Sequence, residues 1–77
     1  MEKQFKLRGS STISSNTYIV ARGTIDVMHE AMNHVAMAQH VSGDYLAMWR
    51  ESSFLRVTKQ LADGTQYDCL YEVMGAL

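Results

Sequence analysis

The sequence predicts an α+β domain: one α-helix packed on a five-stranded, mainly antiparallel sheet, in the order β-β-α-β-β-β. Three observations lead there. Only one stretch, residues 25–40, repeats its apolar residues at helical spacing. The segments on either side alternate, and they are rich in β-branched and aromatic residues. Ala62-Asp63-Gly64 then supplies a hairpin loop between the last two of them. With 77 residues the chain makes a single domain, 1–77, around a single core. A domain of this size buries about 60–65% of its unfolded surface. Its 47% apolar content argues against disorder.

The elements follow in chain order. Lys3-Gln4-Phe5-Lys6-Leu7-Arg8 alternates, with Phe5 and Leu7 on one face, and reads as a half-buried strand. The Ser/Thr/Asn cluster at 10–17 reads as a turn or loop. Thr17-Tyr18-Ile19-Val20-Ala21-Arg22 forms the second strand. Thr24 is a good helix N-cap, and Asp26 and Glu30 follow where carboxylates suit the helix dipole. Met28, Ala31, Met32, Val35 and Ala36 make the buried stripe. Ser42-Gly43 ends the helix. The opposite helix face carries Asp26, His29, Asn33, Met37 and His40.

Asp44 to Glu51 fits either a short helix or a strand, and the strand is the preferred reading. Phe54 to Leu61 and Thr65 to Met74 are two clear strands. A three-residue loop pairs Leu61 with Thr65, Val57 with Cys69 and Leu55 with Tyr71. That register keeps the two faces sorted, and a slip by one residue would mix them. It also puts Gly64 where the loop wants a left-handed residue. The expected core is Phe5, Leu7, Met28, Met32, Val35, Leu55, Val57, Tyr67, Cys69, Tyr71 and Val73, with alternate residues of 17–21.

Two apolar residues, Phe54 and Leu70, interrupt the polar face of the last hairpin. An even-length turn at Glu51-Ser52 sets Trp49 opposite Phe54 on that outer face and sends Leu46 and Met48 into the core. An odd-length turn drives Trp49 inward. In the first case Trp49, Phe54 and Leu70 form a surface cluster flanked by Arg56 and Glu72. Contiguous exposed apolar surface marks interaction sites, and Trp and Arg dominate binding hot spots. A second candidate contact surface is the low-charge helix face with His29, Asn33 and Met37.

Charge narrows the partners. Seven basic residues against eight acidic ones give a net charge of −1. Nucleic-acid binding is disfavoured, because it wants a basic patch. Lys3, Lys6, Arg8 and Arg22 offer only a small basic strip, read as a solvated strand face. Near-neutral charge favours association, so a protein partner or a homodimer is expected. One cysteine, Cys69, forms no internal disulfide, so packing alone holds the domain and a cytoplasmic setting is expected. Residues 1–6 show no signal core, and the longest apolar run is five residues, Tyr45 to Trp49, against about twenty for a bilayer span.

No motif carries catalytic chemistry, and no catalytic residue, cofactor or metal is expected. His29-Glu30-Ala31-Met32-Asn33-His34 only superficially matches the H-E-x-x-H zinc helix. Its histidines are five apart, about 140° off alignment, and cannot share one ion. Glu30 and His34 are four apart but lack a third ligand. Asp26 and His29 lack a nucleophile, and none of the serines sits in G-x-S-x-G.

Thr17-Tyr18-Ile19-Val20-Ala21 running into a capped helix, and closure on Asp63-Gly64-Thr65-Gln66-Tyr67, give a layout with a known likeness. It resembles that of several small phage-encoded inhibitor proteins, including some anti-CRISPR proteins. The resemblance is one of size and element order, and no residue motif carries over. It implies a non-enzymatic module that blocks a larger host complex sterically, in the host cytoplasm. The expected contact residues are Trp49, Phe54, Arg56 and Leu70, with His29, Asn33 and Met37 as the second surface. The alternative is a small homodimer with a structural or assembly role.

Overall fold

The computed structural model describes residues 2–75. Five strands and one helix follow in the predicted order: β1 (Phe5–Ser11), β2 (Ser14–Gly23), α1 (Ile25–Ser42), β3 (Ala47–Arg50), β4 (Phe54–Gln60) and β5 (Gln66–Met74). They form one sheet of order β2-β1-β5-β4-β3. Every neighbouring pair is antiparallel.

The helix starts and stops where its caps dictate. The Thr24 side-chain Oγ1 accepts from the Val27 amide at 3.4 Å, and the Thr24 carbonyl accepts from the Met28 amide at 3.0 Å. Gly43 takes φ 68°, and its amide donates to the Gln39 carbonyl at 2.9 Å. That left-handed position favours glycine, since a Cβ is disfavoured there.

Met28 and Met32 project from α1 onto one face of the sheet, where they meet Leu7, Leu55, Val57 and Tyr71. All but Tyr71 are fully buried, and Tyr71 is 9% exposed. Phe5, Val35, Cys69, Val73, Ala21, Ala31, Ala36, Tyr45 and Met48 pack around them. Burial raises the pKa of the Cys69 thiol. Tyr67 stays half-buried at the margin.

The last hairpin keeps the expected register, with Val57 opposite Cys69 and Leu55 opposite Tyr71. The Leu61 amide donates to the Thr65 carbonyl at 2.8 Å, and Gly64 has φ 94°. Asp63 caps the turn by accepting from the Thr65 amide, which holds its carboxyl below the ordinary range.

Three local expectations are corrected. Residues 10–17 are not a loop: β1 and β2 run through them, and only Thr12 and Ile13 turn. β1 is a central strand there, paired with β5 through Gly9–Tyr71, Ser10–Leu70 and Ser11–Cys69, so the ladder overrides the weak strand preference of the side chains. Of residues 17–21 only Ala21 packs on the core, while Tyr18, Ile19 and Val20 are exposed because β2 is an edge strand. Leu46 is 51% exposed instead of buried. Tyr45 fills the place beside the core, its hydroxyl 2.8 Å from His40 Nδ1, and β3 begins only at Ala47.

Gly9 has a packing role. A Cβ there would collide with the Tyr18 ring, which lies directly on the strand backbone. Burial pushes the Tyr71 hydroxyl above its ordinary value of 10.0, and a hydrogen bond with Tyr18 adds to the shift.

Leu55→Ala should lower the unfolding free energy by about 2–5 kcal/mol. In so small a core that is a large share of a total near the low end of about 5–15 kcal/mol. Chemical denaturation measures it. Because the folded state holds the Tyr71 proton more tightly than the unfolded chain, the stability it contributes is complete below about pH 10 and declines above it. Denaturation midpoints followed into alkaline solution should fall less steeply for Tyr71→Phe than for the natural chain.

Candidate functional site

Strand pleating sorts residues to two faces. The helix covers the face carrying Leu7, Leu55, Val57 and Tyr71. Among the described residues no element lies over the other face, which is open.

Two cross-strand rows dominate the open face. In one, Trp49 is opposite Arg56, Arg56 opposite Leu70, Leu70 opposite Ser10 and Ser10 opposite Thr17. In the next, Phe54 is opposite Glu72, Glu72 opposite Arg8 and Arg8 opposite Ile19. The expected cluster of Trp49, Phe54, Arg56 and Leu70 is thus brought together. One detail changes: Ser52 and Ser53 form the turn, Glu51 lies opposite Phe54, and Trp49 faces Arg56 instead of Phe54. The even parity that turns Trp49 outward holds, and the side chain is 55% exposed.

The rows combine apolar and charged groups. The Arg8 guanidinium donates from Nη2 to Glu72 Oε1 at 3.1 Å. Arg8 Nε is shielded from solvent without an acceptor among the described residues. Lys6 and Arg22 lie directly opposite each other one row further on. Like charges in such positions repel, so this corner favours an incoming anion. At the other end of the face Thr58 Oγ1 donates to Asp68 Oδ1 at 2.7 Å.

The second expected surface is used differently. Asn33 and His40 are exposed and His29 is half-buried, and all three bond to β3 and its flanking turns at the surface. His29 Nε2 lies 3.1 Å from the Ser52 carbonyl. A carbonyl only accepts, so the ring carries its proton on Nε2. Asn33 Oδ1 accepts from Arg50, and the His40 ring meets the Tyr45 ring edge to face at 5.5 Å. Met37 remains 64% exposed. This flank clamps the helix to the β3–β4 hairpin.

Sequence reasoning put Lys6 and Arg8 on a solvated strand face but missed that this face joins the Trp49 cluster, and it missed Ile19. Their inclusion depends on β1 inserting between β2 and β5, which no local pattern encodes. The available signal was charge: Arg8 in the first strand answers Glu72 in the last.

Two shallow depressions mark the surface. One of about 210 Å³ is lined by Gly43, Asp44, Tyr45, Leu46 and Gln60. Another of about 300 Å³ lies between Phe5, Ile25 and the polar residues near them. Small-molecule sites usually occupy about 300–1,000 Å³. Among the described residues no group of three or more His, Cys, Asp or Glu is placed to hold a metal ion. Among the described residues no helix is long and apolar enough to cross a membrane. No family model matches the chain, and no curated protein or solved structure shows significant similarity to it.

Trp49→Ala should leave the fold intact, with a stability change below about 1 kcal/mol, as for an exposed side chain. Its fluorescence in the natural protein should be readily quenched by acrylamide. A cooperative loss of structure in the variant would place Trp49 in the core.

Proposed function

We propose that the chain is a non-enzymatic protein-binding module that docks on a larger assembly through the open face of its sheet and blocks it sterically. The observation that carries this reading is the exposed Trp49 set beside Arg56, Leu70 and Phe54 on an uncovered face. An aromatic anchor flanked by arginine is the composition of a binding hot spot. Lys6, Arg22 and Arg56 share the face with the paired Arg8 and Glu72, so the complementary surface is apolar at its centre and acidic toward Lys6 and Arg22. The size and element order of small phage-encoded inhibitors support the blocking role, with a bacterial defence complex as the target class.

Affinity capture from a bacterial lysate, with the retained complex identified, tests the proposal when three proteins are compared. The natural chain should retain one defined complex. Trp49→Ala and Leu70→Glu should each weaken it at least tenfold, which corresponds to about 1.4 kcal/mol. Equal retention by both folded variants would sink the reading. Salt-sensitive retention of DNA or RNA, abolished by Lys6→Glu but not by Trp49→Ala, would replace it with nucleic-acid binding.

A further inference from the structure

We propose that Lys6, Arg8 and Arg22, at the β1–β2 corner of the open face, bind a phosphate monoester. Lys6 is directly opposite Arg22 in the β1–β2 ladder. Facing residues of this kind have Cβ atoms about 4.5–5.5 Å apart, and like charges there destabilise the pair. Arg8 is two residues from Lys6 on the same strand and the same face, about 7 Å away. Three cationic side chains therefore converge on one corner. Among the described residues the ion pair here is Arg8–Glu72, and neither Lys6 nor Arg22 has an acidic partner.

A backbone irregularity assembles the group. Arg22 and Ile19 are three residues apart, so a regular strand would send them to opposite faces. The ladder slips between Leu7 and Arg8, and Val20 is the extra residue in β2. The slip lets Arg22 stand opposite Lys6 while Ile19 stands opposite Arg8, all on the open side. Bulges that re-aim a side chain recur beside functional sites. Lys6 is half-buried, in the row between Arg22 and Met74, so its repulsion from Arg22 is less screened than between two fully exposed groups.

Charge selects the ligand. Glu72 offsets one of the three cations, which leaves two positive charges on Lys6 and Arg22. A carboxylate or a phosphodiester brings a single negative charge. A phosphate monoester brings about 1.5 to 2 at pH 7 and three acceptor oxygens. Guanidinium forks and a lysine ammonium are the groups that bind such oxygens. The bond to Glu72 also holds the Arg8 guanidinium in place, at 36% side-chain exposure, beside the incoming group. This inference rests on the docking reading for its setting, and it names the group presented at that corner.

Thermal unfolding and amide NMR of the whole chain test it, with N-acetyl-phosphoserine amide as the probe at fixed ionic strength. The probe should raise the melting temperature saturably, because a ligand held only by the folded state stabilises it. It should shift the amides of Lys6, Arg8 and Arg22. Lys6→Gln and Arg22→Gln should each weaken binding at least tenfold. Without the probe each variant should melt no lower than the natural chain, since each removes a like-charge contact. Lost binding is thereby separated from lost folding. Inorganic phosphate bound as tightly as the probe supports the subsite with the free ion as its source. Tighter binding of the probe supports it with a phosphorylated side chain as the source. Dimethyl phosphate matching the probe overturns the proposal in favour of a nucleic-acid backbone, and N-acetyl-aspartate amide matching it overturns the proposal in favour of a carboxylate. So does unchanged binding in both glutamine variants, or no saturable binding at millimolar probe. Trp49→Ala should bind the probe as the natural chain does. Probe binding without capture of any complex therefore sinks the docking reading alone, and capture without probe binding sinks the subsite alone.

Discussion

The pairing of β1 with β5 is the contact on which the rest of the structure depends. It joins the first hairpin to the last across 64 residues of chain, and Arg8 and Glu72 close it with an ion pair. Without it β1–β2 would be an isolated hairpin, which is marginal in water. With it, Leu7 comes beside Val73 and faces Met28 and Met32 from the helix between them. The same ladder sets Arg8, Ser10 and Lys6 in line with Glu72, Leu70 and Met74 on the open side. One register thus fixes both the core and the candidate contact surface. Closing so long a loop before any reward arrives makes this the slow step expected of a non-local topology.

Local chemistry explains what was legible. The helix ends could be read from Thr24 and Gly43 because capping is satisfied within a few residues. The β4–β5 register followed from Gly64 and from the need to keep Leu55, Val57, Cys69 and Tyr71 on one face. Trp49 was readable only as far as turn parity, since one residue more at Ser52 would have reversed it. What remained hidden is of two kinds. The strand content of residues 10–17 comes from neighbours far along the chain, not from the Ser, Thr and Asn side chains themselves. The polar helix flank is a solvent face, as histidine and asparagine suggest, but its contacts with the β3 region were not legible. Its bonds to Ser52, Arg50 and Tyr45 depend on where β3 is laid down.

Composition and structure together explain why the surface matters. The chain is 47% apolar, yet its fully buried side chains are few: Leu7, Met28, Met32, Leu55 and Val57. The surplus appears as Trp49 and Ile19 on the open face, and as Val27, Met37 and Val41 along the helix. Scattered exposed hydrophobes are ordinary, but these align in rows set by register and helical pitch.

Such a surface carries a hazard, and the strand edges limit it. The β1–β2 ladder slips twice, between Leu7 and Arg8 and between Ser10 and Ser11, leaving unmatched residues in β2. β3, at the far edge, is only four residues long and ends in Arg50. Neither margin offers a long, flat, regular template onto which copy after copy could crystallise in register. The irregular hairpin therefore acts as a brake on fibril growth, allowing the chain to display apolar rows without polymerising through its edges.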